Sequence, residues 1–288
     1  MRIDEILKRK RTLSFEVFPP KQVEGEKEKL LNTIERLKEL SPDFISVTYG
    51  AGGSNARGAT EIAGCIKAAG VEPLAHITGG PSSPKDIDAV CKELQRLNVE
   101  NVLALRGDKP QDYAGEYCKH FLHATDLMNY IGDRFCLGGA CYPEGHSECA
   151  TLQEDLMNLK KKEESGAKFF ITQLFYDNSY YYRLVHEAGK AGITAPIIPG
   201  IMPLVNIKTI ARIKSMCGST IPLDFRNMIE AYGGSPAVMR ELGLNYAVYQ
   251  ITDLIAKGAP GVHLYIMNRA DTAIEIYRRL ENVFSELF

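Results

Sequence analysis

Eight short runs rich in β-branched and aromatic residues recur along the chain, and segments with helical periodicity lie between them. The runs span residues 12–18, 43–49, 72–77, 101–106, 135–141, 168–175, 196–201 and 262–267. Such nearly continuous apolar runs are typical of parallel strands covered on both faces. Alternating strands and helices predict right-handed βαβ units, and eight units predict closure into a (β/α)8 TIM barrel. We therefore expect one α/β domain, a single (β/α)8 barrel over residues 1–288.

Helical spacing of apolar residues is clear in the intervening segments. Residues 27–40 and 84–97 each carry such a stripe. The stretch between the last two strands contains three predicted helices, at 206–216, 223–231 and 237–257. The middle one is extra to a minimal barrel, and extra elements after late strands often help to build the ligand site of this fold.

Composition argues against several classes of protein. The chain has 34 basic and 36 acidic residues, a net charge of −2, which gives no support to a nucleic-acid or membrane-surface partner. The N-terminus lacks the apolar core of a signal peptide, and no apolar run reaches the about 18 residues that span a bilayer. We therefore expect a cytoplasmic protein. The seven cysteines are irregularly spaced without a CxxC pair, so we expect free thiols and no metal site.

Polar residues follow almost every predicted strand, where an α/β barrel carries its active site. Glu16 lies between apolar neighbours and is followed by two prolines. Burial away from water favours the protonated form of a carboxyl group, so Glu16 is a candidate general acid, with a structural ion pair as the alternative. Arg106, Gly107 and Asp108 follow the fourth strand. The glycine lets both charged side chains face the barrel mouth, although a simple Arg–Asp pair would also explain them.

The other strand ends carry groups that donate or accept hydrogen bonds: Thr48, His76, Tyr142, His146, Gln173 and Arg269. Taken alone, a single histidine such as His76 is more simply interpreted as a buried core residue. An amide inside a strand must find partners, and because it both donates and accepts, it suits the edge of a polar heterocycle. The mixture of carboxylates, cations, aromatics and an amide indicates an organic cofactor or substrate.

One predicted helix, at residues 152–163, carries a polar stripe beside its apolar stripe. Asp155, Asn158 and Lys162 lie at positions i, i+3 and i+7, and therefore share one face. Without further information this stripe is interpreted as a solvated surface.

Together, these segments resemble the bacterial methylenetetrahydrofolate reductases. The matching segments are spread in order over essentially the whole chain: FEVFPPK (15–21), SVTYGAGGS (46–54), AHIT (75–78), ALRGD (104–108), YPEGH (142–146), DLMNLKKKEESGA (155–167), ITQLFYD (171–177), IIPGI (197–201) and YIMNRA (265–270). The family is a (β/α)8 barrel that binds FAD non-covalently. It reduces 5,10-methylenetetrahydrofolate to 5-methyltetrahydrofolate in one-carbon metabolism and methionine biosynthesis. Hydride passes from NADH or NADPH to FAD and then to the folate, in ping-pong fashion.

The resemblance implies a role for each strand-end residue. Glu16 would be the general acid that opens the five-membered ring of the folate, and Asp108 would lie beside both flavin and pterin and tune the flavin charge. Gln173 would bind the pterin, and Arg269 would contact the folate beyond it. FAD would be held by Thr48, His76, Arg106, Gly107, Asp108, Tyr142, His146, Asp155, Asn158 and Lys162. On this interpretation the helical stripe belongs to the cofactor site.

The match is weakest between residues 221 and 234, where family members often carry an aromatic and a glutamine that contact nicotinamide and folate. This departure motivates a second hypothesis, in which the same barrel is a subunit of a larger redox complex and takes electrons from an iron–sulfur partner. A third is a non-catalytic folate- or flavin-binding module, which would not need Glu16. The family also implies a homo-oligomer. The sequence has no segment similar to the eukaryotic regulatory domain, so we expect no feedback by S-adenosylmethionine.

Overall fold

The strands form one parallel sheet that curves into a barrel. The structure is a computed structural model that describes residues 1–20, 23–49, 56–109, 116–210 and 218–288. Its strands are β1 (Thr12–Val17), β2 (Phe44–Val47), β3 (Glu72–Thr78), β4 (Asn101–Leu105), β5 (Cys136–Cys141), β6 (Ala167–Thr172), β7 (Ile197–Ile198), β8 (Gly200–Ile201) and β9 (Gly261–Tyr265). They lie in the order β7-β6-β5-β4-β3-β2-β1-β9-β8. All eight predicted strands are present, most of them one to three residues shorter than their apolar runs.

The seventh predicted strand, at 196–201, is interrupted at Pro199, and the barrel closes at this point. β7 pairs with β6, whereas β8 pairs with β9. Proline has no N–H to donate to a neighbouring strand. Its carbonyl oxygen still accepts a 3.0 Å bond from the His263 N–H, and Gly200 N–H donates to Thr172 Oγ1 over 2.9 Å. A Cβ atom at Gly200 would lie 2.5 Å from the Thr172 carbonyl oxygen, so this close approach requires glycine.

Helices cover the outside of the barrel. They are α1 (Ile3–Leu7), α2 (Glu26–Lys38), α3 (Ala56–Ala68), α4 (Pro84–Arg96), α5 (Ala124–Ile131), α6 (Leu152–Glu164), α7 (Asn178–Lys190), α8 (Leu223–Tyr232), α9 (Pro236–Ala256), α10 (Ala270–Arg279) and α11 (Glu281–Leu287). α8 is the predicted extra element. The helix predicted at 206–216 lies partly outside the described residues. Within the described ranges, no helix is long and apolar enough to cross a membrane.

Three apolar clusters fill the molecule. The largest lies between the sheet and the surrounding helices. A second cluster lies in the barrel interior and consists of Ile3, Phe44, Leu74, Leu103, Cys136, Phe169, Ile171 and Ile198. The third joins α8 and α9 to the chain that follows β6, and includes Phe225, whose ring stacks on Tyr246 at 3.8 Å. Because the second cluster fills one end of the barrel interior with apolar side chains, buried polar groups gather near the carboxyl ends of the strands.

Candidate active site

Glu16 lies inside the barrel, near the carboxyl end of β1. In the parallel register it stands opposite Ser46 on β2 and Tyr265 on β9, and Ser14 stands opposite His263. Side chains alternate along a strand, so Ser14 and Glu16 share the inward face. Glu16 is 7% exposed, and Ser14, Ser46 and His263 are fully buried. The register of the strands therefore brings a carboxyl group, an imidazole and two hydroxyls together in a buried site.

Three side chains from three strands surround one oxygen atom of Glu16. Ser46 Oγ lies 3.3 Å from Glu16 Oε2, within hydrogen-bond distance. His76 Nε2, on β3, lies 3.6 Å from the same oxygen, and His263 Nε2 lies 3.8 Å from it. Burial lowers the pKa of His76 to about 4, despite the opposing effect of Glu16. His76 is therefore neutral near pH 7 and gives Glu16 no full positive charge to pair with.

Several buried polar atoms at the same end of the barrel as Glu16 lack hydrogen-bond partners among the described residues. They are Thr48 Oγ1, His76 Nε2 and Thr78 Oγ1, at the carboxyl ends of β2 and β3. Leaving a buried donor or acceptor unpaired costs about 1–3 kcal/mol. A run of such atoms at the barrel mouth fits a polar ligand that supplies the missing partners. Gly107 adds to this surface: its φ is +82°, and a Cβ atom there would lie 3.1 Å from Thr78 Cβ.

A second group of predicted residues gathers between β5 and α6. The rings of Tyr142 and His146 meet edge to face at 4.6 Å, and Lys162 Nζ lies 5.6 Å from the centre of the Tyr142 ring. The His146 N–H donates to Asp155 Oδ2 over 3.1 Å. Asn158 Nδ2 and Asp155 Oδ1 both contact the Cys149 thiol, at 3.6 and 3.8 Å. The helical stripe therefore faces the protein, and its interpretation as a solvated surface is wrong.

The charges of this second group are partly desolvated. Burial lowers the pKa of Lys162, although Cys141 and Asp155 oppose the shift. Burial likewise raises the pKa of Asp155, against the effect of Lys162. Lys162 Nζ donates to the Ala140 carbonyl oxygen over 2.8 Å. A cleft lies beside these groups, and its empty space, including the solvent at its opening, is about 530 Å³. Tyr142, Asp155, Leu156, Lys162 and Arg183 are among the residues that line it.

Arg106 joins the strand ends to this second group through Glu148. The guanidinium Nη2 donates to Glu148 Oε1 over 2.8 Å, and Glu148 N–H donates to His146 Nδ1 over 3.1 Å. The hydrogen bond from Arg106 lowers the pKa of Glu148, and the pKa of Arg106 is raised in turn. The charge of Asp108 acts on both Arg106 and Tyr142. The alternative prediction of a simple Arg106–Asp108 pair is wrong, because the hydrogen-bonded partner of Arg106 is Glu148.

The remaining predicted residues lie at the same end of the barrel with fewer contacts. Asp108 and Arg269 are exposed. Gln173 is half-buried, and its Oε1 accepts from Leu174 N–H over 2.9 Å. Asn268 links the ends of two strands, since its side chain accepts from Phe18 N–H and donates to the Phe18 carbonyl oxygen. The glycines at 50–53 lie outside the described residues.

Sequence reasoning missed His263, Ser14 and Ser46. A signal for them exists in the alternation of the strands: within two of the apolar runs, polar residues recur at every second position, as in Ser14 and Glu16, or in His263 and Tyr265. Such alternation places them on one face. Their proximity to Glu16 depends on the register between β1, β2 and β9, which no local pattern encodes.

Comparisons with known proteins bear on this site. A family model for methylenetetrahydrofolate reductase matches residues 2–281. The 5,10-methylenetetrahydrofolate reductase of Escherichia coli K12 is 34% identical over 271 residues, which cover 93% of this chain and 90% of that protein. Methylenetetrahydrofolate reductase (NADH) 1 of Arabidopsis thaliana is 35% identical over 283 residues. These cover 93% of this chain and 48% of the plant protein, so the chain spans about half the length of that relative.

A solved structure is similar in fold. It is an uncharacterized Clostridium thermocellum protein that binds two copies of 5-methyl-5,6,7,8-tetrahydrofolic acid. The TM-score is 0.71 at 17% sequence identity, and the match covers 98% of this chain and 100% of that one. At this identity the likeness concerns the fold alone.

Proposed function

Because the chain belongs to the methylenetetrahydrofolate reductase family, we propose that it catalyses the flavin-dependent reduction of 5,10-methylenetetrahydrofolate to 5-methyltetrahydrofolate. NADH or NADPH would be the electron donor, and the two half-reactions would alternate in ping-pong fashion. The observation that carries this proposal is the buried Glu16 carboxyl group, which lies 3.6 Å from His76 Nε2, a buried atom that has no hydrogen-bond partner among the described residues.

The cofactor would be FAD, bound without a covalent link. Thr48, His76, Arg106, Gly107 and Asp108 would hold the flavin end, where Thr48 and His76 offer unpaired polar atoms. The rest of the cofactor would contact Tyr142, His146, Asp155, Asn158 and Lys162, beside the cleft between α6 and α7. Lys162 and Arg106 are cations that suit a phosphate group. When bound, FAD would supply the two-electron hydride chemistry that amino-acid side chains lack.

Glu16 would act as the general acid. Ring opening of the methylene-folate leaves negative charge on a nitrogen unless a proton arrives, and a carboxyl group kept out of water can deliver one. Ser46 lies within hydrogen-bond distance of the carboxyl group, and two imidazole nitrogens lie 3.6 and 3.8 Å from it. Gln173 would hydrogen-bond the pterin edge through its amide, and Asp108 would bind the pterin and act on the charge beside it. Arg269, exposed at the mouth, would meet the anionic remainder of the folate.

The experiment combines cofactor binding with the two half-reactions. We expect the purified protein to be yellow, or to become so with added FAD, and to bleach on anaerobic mixing with NADH or NADPH. Added 5,10-methylenetetrahydrofolate should then restore the colour. A protein that stays colourless in FAD would refute the proposal. Failure of both nicotinamides to bleach a yellow protein would instead favour a protein electron donor.

The variant Glu16→Gln tests the role of the proposed general acid separately from cofactor binding and flavin reduction. We expect this variant to bleach with the donor at the wild-type rate within about two-fold, but to lose folate-dependent recolouring by at least about a hundred-fold, as for removal of a general acid. Glu39→Gln, at an exposed position, is the matched control and should keep both rates. Equal loss of both half-reactions in Glu16→Gln would contradict the role of Glu16.

A further inference from the structure

A chain of hydrogen-bonding groups runs from the backbone of β9 to Glu16. Ser14 Oγ lies 3.2 Å from the Val262 carbonyl oxygen and 2.8 Å from His263 Nδ1. On the other side of the ring, His263 Nε2 lies 3.4 Å from Ser46 Oγ, which is itself 3.3 Å from Glu16 Oε2. The ring is held flat against Phe44 at 5.9 Å and meets the edge of Tyr265 at 5.1 Å.

The single proton of the Ser14 hydroxyl can face either the Val262 carbonyl oxygen or His263 Nδ1. The Val262 carbonyl oxygen can only accept, whereas Nδ1 can itself donate to Ser14 Oγ, so both contacts are hydrogen bonds when the Ser14 proton faces Val262. In that arrangement Ser14 Oγ accepts from His263, and Nδ1 carries the hydrogen. Nε2 is left with a lone pair that faces Ser46 and Glu16. An imidazole with an acceptor nitrogen on that side favours a neighbouring carboxyl group that keeps its proton.

We propose that His263 is a positioning residue, locked by Ser14 as the Nδ1–H tautomer, and that its Nε2 lone pair accepts from Ser46 and so turns the Ser46 oxygen toward the acid group of Glu16. At rest, Glu16 donates to Ser46 Oγ, and the Ser46 hydroxyl donates to His263 Nε2. When Glu16 passes its proton to the folate nitrogen, a rotation of the Ser46 hydroxyl lets it donate to the new carboxylate. No other proton is transferred from one group to another. The catalytic consequence rests on the proposed function, whereas the tautomer does not.

The groups that face Glu16 come from three neighbouring strands. They are Ser46 on β2, His76 on β3 and His263 on β9, with Tyr265 opposite Glu16 in the register. Among them His76 is neutral near pH 7, because burial lowers its pKa to about 4. The tautomer of His263 is therefore the feature that sets the direction of the hydrogen bonds at Glu16.

Ser14→Ala tests this direction. Without the hydroxyl, the Nδ1 hydrogen has no acceptor, and an unpaired buried N–H is costly, so the imidazole should switch to the Nε2–H tautomer. Its hydrogen then points toward Ser46 and Glu16 and favours the carboxylate. We expect the folate half-reaction at neutral pH to fall about ten-fold and its pH midpoint to move about one unit lower, since one unit corresponds to a factor of ten. Flavin reduction by the nicotinamide should stay within about two-fold of wild type.

Tyr181→Phe is the matched control, because it also removes a buried hydroxyl that donates to a strand carbonyl, that of Ile197, away from Glu16. We expect the pH midpoint to stay unchanged in this variant. His263→Gln, which cannot carry the tautomer, should reproduce the slower folate half-reaction. An unchanged pH profile in both Ser14→Ala and His263→Gln would overturn the proposal.

Spectroscopy of the free protein decides the tautomer independently of folate turnover. We expect ¹⁵N NMR to report Nδ1–H for His263 in the wild type and Nε2–H in Ser14→Ala. Infrared spectra at neutral pH should contain a protonated-carboxyl band that Glu16→Gln removes. Nε2–H in the wild type, or absence of that band, would refute the proposal. If the wild type fails to reduce the folate, the proposed function fails, while these spectra still test the chain.

Discussion

At the scale of single residues, the candidate site contains a buried histidine, His76, that lacks a hydrogen-bond partner for one ring nitrogen among the described residues. His76 is 6% exposed, and its Nε2 has no hydrogen-bond partner among the described residues. Its imidazole is neutral in the folded protein because protonation would place a poorly solvated charge inside the barrel. The burial of this imidazole leaves it available to a ligand, but it also makes the folded protein less stable in acid.

Acid should therefore destabilise the protein through His76. The folded pKa of about 4 lies below the ordinary histidine pKa of 6.5, so the unfolded chain binds more protons between these values. The contribution of His76 to the free energy of unfolding is therefore fully present above pH 6.5. It is lost as the pH decreases toward 4, by about 3 kcal/mol. Urea unfolding from pH 7.5 to 4.5 measures this loss. His76→Gln should lack this pH-dependent loss of stability, and His186→Gln, at an exposed histidine, should keep it. An equal pH dependence of the free energy of unfolding in all three proteins would contradict the prediction.

At the scale of elements, one carboxylate joins the end of α6 to the chain that enters β7. Glu163 Oε1 accepts from Thr194 N–H over 2.7 Å, from Ala195 N–H over 2.8 Å and from the Thr194 hydroxyl, while Lys160 pairs with Oε2. Burial opposes the charge, but these hydrogen bonds prevail and lower the pKa of Glu163 to about 2. α6 carries the stripe of Asp155, Asn158 and Lys162, so this contact also orients the second group of site residues.

Glu163→Ala should lower the free energy of unfolding by about 2 kcal/mol, because it removes several hydrogen bonds to a charged group. The folded pKa is below the ordinary glutamate pKa of 4.5, so this contribution is present above about pH 4.5 and is lost as the pH falls toward 2. Chemical unfolding at pH 7 and at pH 3.5 measures both values. Glu164→Ala, its exposed neighbour, should change stability by less than about 0.5 kcal/mol. A difference between wild type and Glu163→Ala that does not shrink at pH 3.5 would contradict this assignment.

At the scale of the whole molecule, the N-terminal segment closes one end of the barrel. Ile3, on α1, is fully buried among the interior residues of β2 to β7. Asn101 fixes the approach: its Oδ1 accepts from Ile3 N–H over 2.8 Å, and its Nδ2 donates to the carbonyl oxygens of Met1 and Pro73. The opposite end carries the buried polar residues of the candidate site. The barrel is thus apolar at its base and polar at its mouth.

Ile3→Ala should therefore destabilise the whole barrel by about 2–4 kcal/mol, as expected for a large-to-small change in a core that cannot collapse around the cavity. Thermal and urea unfolding measure the loss, and circular dichroism should report an unchanged fold. Leu122→Ala is the control, since Leu122 is 59% exposed and should cost less than about 0.5 kcal/mol. An effect of Ile3→Ala no larger than that of the control would mean that α1 does not contribute to the barrel core.

Local patterns alone determined a large part of this protein. The strands and the extra helix α8 were predictable because strand and helix periods are properties of neighbouring residues. The break at Pro199 was not predicted, although the missing N–H of proline was visible in the sequence. The residues at the strand ends were also predictable, because a barrel concentrates its chemistry there.

Only the tertiary structure decided which of those residues meet. The register of β1 with β2 and β9 places Ser46 and His263 beside Glu16. Glu148, which sequence analysis did not consider, becomes the partner of Arg106. The stripe of Asp155, Asn158 and Lys162 faces the protein because α6 packs with that side toward the end of β5. The physical reason is the same throughout: sequence periodicity determines which face a side chain occupies, whereas hydrogen-bond partners and desolvation depend on strands far apart in the chain.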